Sequence, residues 1–395
     1  MKKEASRIIV CSGHRSFESG GIGTHLRLLE RELKRNRYDY LYLMGATKTS
    51  LALGKMKAAL VSALTGGESR LWYETLIRIH ALRDRYLAAI KRSIDEVRGS
   101  VLVHCHDALS VIAVQNFCSE NGIRIVYTMH APFAEGLVST VGEAKGVTGQ
   151  VGDMIERQVL QGVDAVIAVD SWEAELAKRK GRDTNVHVIR NAVDIAELEK
   201  LRSNNAAPPL DRPYIIIAKH LYEKCGVAFA LEAYAHSTCK RDLDLVYVGD
   251  GAMRASLEAR ARALGLESRV RFMGKLTHGR TLRMIKHASM SCVPSVPVGS
   301  YVEATSLTLL ESMALGVPAI ASNVGGLKEI LQDTKAGILV PPGDTLALAS
   351  AMDSVASDQA LQDQLAAEGI RVINMKFSSD LWFKQLARVY SRLSG

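Results

Sequence analysis

Short apolar runs alternate with helix-length amphipathic stretches along almost the whole of this 395-residue chain. Runs at 7–11, 40–44, 101–105, 123–127, 165–169 and 186–189 read as strands, as do runs at 214–217, 243–248, 270–272, 290–293, 319–321 and 337–340. The stretches between them carry apolar residues at helical spacing, such as Leu26, Leu29 and Leu33. Strands that alternate with helices build parallel β-α-β units and doubly wound sheets. Residues 203–213 break the rhythm with two Asn, three Pro and no apolar run, and read as a linker. The expectation is two α/β domains joined near residue 208.

Composition narrows the class. At 47% apolar and 23% charged residues the chain is an ordinary globular protein, with a core large enough to need no disulfide or metal staple. The six cysteines are scattered without C-x-x-C spacing, which argues against a zinc framework and suits a reducing compartment. No apolar run approaches the roughly 20 residues of a membrane span, and the first residues lack the long apolar region of a signal peptide. The expected compartment is therefore the cytoplasm. Residues 1–100 hold 19 Lys and Arg against 10 Asp and Glu, so the first domain carries a basic segment of net +9 while the other 295 residues nearly balance. Such a domain suits an anionic acceptor or peripheral contact with an anionic membrane surface. Residues 51–64, apolar with Lys55 and Lys57, are the candidate for lying on that interface, against the plainer reading of a surface helix. Nucleic acid is not expected as a partner, because no nucleic-acid-binding motif accompanies the charge.

The densest chemistry lies between Glu303 and Pro318. Residues 307–315 read as a helix, with Thr305 or Ser306 at its N-cap, Gly316 as its stop and Pro318 beyond. Glu311 shares a face with Leu307, Leu310 and Ala314. A carboxylate on a core-facing stripe needs a hydrogen-bonding partner; a ribose diol and a neighbouring lysine serve equally well. No Glu or Gln closes a capping box, so the amides of Leu307 and Thr308 are open to an anion. Glu303 precedes the helix in a loop rich in Pro and Gly, where a carboxylate can receive sugar hydroxyls.

Two Glu in this spacing, then Gly316-Val317-Pro318, Gly325-Gly326 and the segment 336–344, resemble the signature of retaining glycosyltransferase family 4. The resemblance covers nearly the whole chain. It implies the GT-B fold, two Rossmann-like doubly wound parallel-sheet domains facing across a cleft. Residues 1–207 would form the acceptor domain and 208–375 the donor domain, with a helix in 376–395 crossing back. By resemblance, Glu303 contacts the donor sugar and Glu311 the ribose, and Gly274, Lys275 and Leu276 hold the nucleotide base. Lys219 and Lys224 meet the diphosphate, with Lys219 standing where most relatives carry Arg. Thr305 and Ser306 replace the Phe-Gly of many members at the edge of the sugar pocket. In the first domain the resemblance places Gly20 and Gly21 against the diphosphate and acceptor, His130 on the donor sugar, and Gly23, His106 and Asp107 on the acceptor side. His104, His106 and Asp107 resemble a metal cluster, but no further ligand is spaced to complete one.

The expected reaction is retaining transfer of a hexose or N-acetylhexosamine from a nucleotide sugar, UDP-linked by preference, to a hydroxyl acceptor: a polysaccharide, a lipid carrier or a small aglycone such as an aminocyclitol. His130, Glu303, Lys219 and Lys224 would carry the chemistry. Cations and helix amides replace a divalent metal in this family, so no metal and no cofactor is expected, and the protein is expected as a monomer or homodimer. A sugar-nucleotide epimerase or phosphorylase on the same frame and a silent binding subunit are the alternatives. A nicotinamide oxidoreductase is set aside, because Gly20-Gly21-Ile22-Gly23 lacks the G-x-G-x-x-G spacing.

Overall fold

The computed structural model describes residues 6–13, 20–45, 68–133, 147–299 and 301–394, without the side chains of 68–75 and 147–148. Residues 51–64 therefore lie outside the described residues. The chain divides into two compact units, Met1–Ile189 with Phe383–Gly395, and Arg190–Trp382.

The first unit contains β1 (Arg7–Ser12), α1 (Gly20–Arg35), β2 (Asp39–Met44), α2 (Glu68–Glu96), β3 (Val101–Cys105), α3 (Ala108–Glu120), β4 (Arg124–Met129), α4 (Val147–Gln161), β5 (Ala165–Ala168), α5 (Ser171–Arg179) and β6 (Val186–Val188). Its six strands form one parallel sheet in the order β2-β1-β3-β4-β5-β6. The order reverses beside β1. Helix α2 buries Leu82, Tyr86 and Ile90, one residue per turn, and the Tyr86 hydroxyl donates to the Ser12 carbonyl at 2.8 Å.

The second unit contains α6 (Ile195–Arg202), β7 (Tyr214–Ala218), α7 (Val227–His236), β8 (Asp244–Val248), α8 (Arg254–Ala263), β9 (Val270–Phe272), α9 (His278–Lys286), β10 (Met290–Val293), α10 (Leu307–Ala314), β11 (Ala319–Ser322), α11 (Gly325–Leu331), β12 (Ile338–Val340), α12 (Thr345–Ser357) and α13 (Gln359–Lys376). Its parallel strands run β12-β11-β10-β7-β8-β9. Numbered from β7, this is the Rossmann order. Tyr214, Ile216 and Ala218 of β7 join one core, while Ile215 and Ile217 join the other. That two-residue alternation with both faces covered explains why the strand reads as a continuous apolar run.

The units divide at Ile189, ahead of the linker at 203–213, because Leu198 of α6 is buried in a core of the second unit. The final helix, Ser379–Leu393, is split at Trp382 between the two units. In the first unit Phe383 packs edge-on to Tyr38 at 5.5 Å. All six cysteines are buried and unpaired. No helix of the described residues is long and apolar enough to cross a membrane.

Candidate active site

In the second unit β7 and β10 lie side by side while the chain continues outward from them in opposite directions. Ligands of open α/β sheets bind at such a switch, beyond the carboxyl ends of the strands. The loops that leave these two strands carry Lys219, Lys224 and Glu303. Lys219 directly follows β7 and donates through Nζ to Glu303 Oε1. Ser295 Oγ donates to the other carboxylate oxygen at 3.2 Å. The two side chains are only 9% and 13% exposed. Burial, the largest single influence, lowers the Lys219 pKa; the charge of Glu303, nearby Cys225 and the hydrogen bond to Glu303 together outweigh it and hold the ammonium above the usual lysine range.

Lys224 lies in a single 3-10 turn, Glu223–Cys225, with Nζ 3.8 Å above the centre of the Tyr301 ring. Burial pulls its pKa down, Cys225 and Glu303 oppose that pull, and Lys219 adds to it. Among the described residues no carboxylate pairs with Lys224, whereas Lys219 is committed to Glu303. The site thus holds one cation paired with a carboxylate and one that lies over an aromatic ring with no carboxylate ion pair among the described residues.

The Glu303 loop runs into α10. Thr305 and Ser306 are buried at the helix start, and Ser306 makes no side-chain cap. By contrast Asp107, Asp170, Asp194, Asp344 and Asp358 each accept from a first-turn amide of their own helices. Leu307 packs on the core, and Thr308 Oγ1 donates to the Ala218 carbonyl at 2.9 Å, which ties the first turn of α10 to the end of β7. Asn191 Nδ2 donates to the Thr305 carbonyl at 3.0 Å. Gly326 N donates to the Glu303 carbonyl at 2.9 Å, and a Cβ on Gly326 would come within 2.4 Å of Thr305 N. Glycine is needed at 326 so that the backbone can hold the Glu303 loop this closely.

Glu311 is buried, as its stripe predicts, and its internal partner is a histidine: Oε1 lies 2.7 Å from His278 Nε2. His278 opens α9, just after the turn of Gly274, Lys275 and Leu276. Gly274 has φ +66° and its carbonyl accepts from Gly249 N at 2.9 Å; Lys275 is exposed and Leu276 packs on the core. The two segments expected to hold base and ribose are therefore linked through His278.

In the first unit, helix α1 starts at Gly20, so Gly20, Gly21 and Gly23 form its first turn rather than a loop ahead of it. Gly20 and Gly21 are exposed and Gly23 is buried. Asp107 caps α3, accepting from Ser110 N at 2.9 Å, Ser110 Oγ at 2.9 Å and Gly13 N at 2.6 Å. His106 Nδ1 lies 3.1 Å from His130 Nε2, and His25 of α1 joins them with its ring centre 4.5 Å from that of His130. Of the His104, His106 and Asp107 group, only His106 joins this cluster, with His25 and His130 from elsewhere in the chain.

Several site residues escaped sequence reasoning. His25 is four residues before Leu29 on the buried stripe of α1, so periodicity alone could have flagged it. His278, Ser295 and Tyr301 left no such signal, since each acts through a contact made only in three dimensions.

Comparison with known proteins agrees with this architecture. Residues 199–372 match the family described as Glycosyl transferases group 1, and residues 19–197 match Glycosyltransferase Family 4. An alpha-D-kanosaminyltransferase from Streptomyces kanamyceticus is 26% identical over 317 residues, 77% of this chain and 80% of that one. Sucrose-phosphate synthase from Thermosynechococcus elongatus shares the fold with a TM-score of 0.73 at 20% identity, covering 98% of this chain and 99% of that one. The Anabaena protein HepE, solved in complex with UDP and glucose, does so with a TM-score of 0.68 at 16% identity and the same coverage. Together the two matches span nearly the whole chain, and the fold is that of the GT-B enzymes: this chain belongs to glycosyltransferase family 4.

Proposed function

We propose that the protein is a retaining, metal-independent glycosyltransferase that moves a hexose or N-acetylhexosamine from a UDP-sugar to a hydroxyl acceptor. The observation that carries this is the pairing pattern at the switch of the second sheet: a Glu303–Lys219 ion pair beside Lys224, which has no carboxylate partner among the described residues. A diphosphate supplies the anion that Lys224 lacks, and the uncapped start of α10 adds amides and the helix dipole. Glu311 would accept the ribose hydroxyls, held in place by His278. The base would sit along Gly274, Lys275 and Leu276. Glu303, Thr305 and Ser306 would face the sugar. In the first unit His130 would contact the donor sugar, Gly20 and Gly21 the diphosphate, and Gly23 and His106 the acceptor side. Asp107 then acts by shaping that wall, since its carboxylate is engaged by α3.

In this reading the bond from the anomeric carbon to the leaving diphosphate breaks while the acceptor oxygen bonds the same carbon from the same face. The acceptor proton passes to the leaving phosphate oxygen. Negative charge grows on the diphosphate as the bond breaks, and Lys224, Lys219 and the amides of Leu307 and Thr308 stabilise it. A UDP ligand in HepE supports the choice of nucleotide. The test is a panel of UDP- and GDP-sugars, each with sugar, lipid-linked and aminocyclitol acceptors, in the presence of chelator. The expected result is nucleotide release with one donor and a product of unchanged anomeric configuration by NMR. Inverted configuration, or epimerised donor without transfer, would contradict it.

A further inference from the structure

We infer that His25, His106 and His130 of the first unit form a binding site for a divalent transition metal of the zinc class. The three imidazoles come from α1, from the residue after β3 and from the residue after β4, and each offers a ring nitrogen within 4.8 Å of the others. The strands are parallel neighbours, with Cys105 opposite Tyr127, so their ends bring His106 and His130 together. His106 Nδ1 and His130 Nε2 are 3.1 Å apart. Two nitrogens bound to one zinc at about 2.0–2.1 Å in a tetrahedron stand roughly 3.3 Å apart, so this pair is already at chelating separation. Bringing His25 in requires closure of at most about 1.5 Å on the same geometry.

The surroundings define the ligand set. His104 is committed at both nitrogens, to the Tyr390 hydroxyl at 2.6 Å and the Thr128 hydroxyl at 2.7 Å. Asp107 is committed to Gly13 and Ser110. Among the described residues no carboxylate or thiolate joins the three histidines. An all-imidazole set selects zinc, copper or nickel and rejects magnesium and calcium, which take oxygen ligands. Three ligands leave a fourth position open. His25 and His106 are buried while His130 is half-buried, which gives an ion a way in. Resting on the donor-side role proposed for His130, a bound metal takes the nitrogen offered to the sugar, so zinc inhibits transfer in competition with donor.

The test uses full-length protein stripped with EDTA and dialysed. Cobalt chloride is titrated in and its visible ligand-field absorption recorded, then zinc chloride is added to displace it. The expected result is one cobalt per chain with the intense bands of low coordination number, displaced by zinc and unaffected by magnesium. His130→Ala, at a half-buried position, keeps the test valid even where the buried His25→Ala fails to fold. Zinc affinity should fall by more than about 10- to 100-fold in His130→Ala and His106→Asn, the loss that removal of even an outer-shell partner causes. His236→Ala, an exposed histidine of the second unit, should bind as wild type. Absence of low-coordination cobalt bands, or equal affinity in wild type and His130→Ala, overturns the site and leaves a hydrogen-bonded imidazole pair. Zinc binding without inhibition supports the site and overturns only the donor role of His130.

Discussion

Lys224→Ala is expected to lower kcat about 100-fold, the usual cost of losing one preorganised electrostatic contact. The diphosphate of a bound donor already carries charge, but it gains more as the glycosidic bond breaks. A cation fixed beside it therefore binds the transition state more tightly than the ground state, and its loss appears in kcat as well as KM. Lys224 is suited to this because its ammonium is half-buried against the Tyr301 ring and lacks a carboxylate partner among the described residues. Its charged form is disfavoured by burial, so an arriving anion gains an interaction that water does not screen. Steady-state kinetics on the donor found in the panel measure the effect. Near-normal kcat with intact fold would remove Lys224 from the diphosphate site.

The second large effect belongs to Glu303→Gln. Glutamine keeps the shape and can still accept from Ser295, but it leaves the Lys219 ammonium buried without its counter-charge. Breaking a buried pair from one side is strongly destabilising, here on the order of 3 kcal/mol. In the wild type the raised Lys219 pKa means that the pair stabilises the fold at neutral pH and loses that contribution only as pH rises through the folded value. Without Glu303, burial lowers the lysine pKa instead, and the penalty grows as pH falls. Adding Lys219→Met to Glu303→Gln removes the stranded charge and should recover most of the lost stability without recovering activity. Urea denaturation of the single and double variants gives both numbers. A single variant as stable as wild type, or a double variant less stable than the single, would show that the pair does not hold this loop.

Why these two lysines differ is invisible in sequence, where both are simply basic residues in one loop. All twelve strands of the described residues were legible, because a strand buried on both faces leaves a run such as 214–217 that nothing else explains. The strand order was not, since β1 and β7 become inner strands through pairings between residues far apart. The burial of Glu311 followed from its place on the α10 stripe; its partner His278 did not, because α9 packs there only after the sheet has formed. Helix α1 begins at Gly20 although glycines at 20, 21 and 23 disfavour a helix, since buried Leu26, Leu29 and Leu33 anchor it from its far side. The unit boundary moved for a similar reason: the linker composition at 203–213 is real, but Leu198 ahead of it is already part of the second core.

In the proposed reading the second unit holds a nucleoside diphosphate through its own side chains and helix amides. Isothermal titration of UDP into the EDTA-treated protein and into Glu311→Ala tests it most directly. The expected result is saturable binding at one site per chain without metal, weakened about 10-fold or more in Glu311→Ala, as for losing a charged hydrogen bond worth roughly 1.5–3 kcal/mol. No binding of UDP or GDP in chelator, or equal affinity in the two proteins, would contradict it.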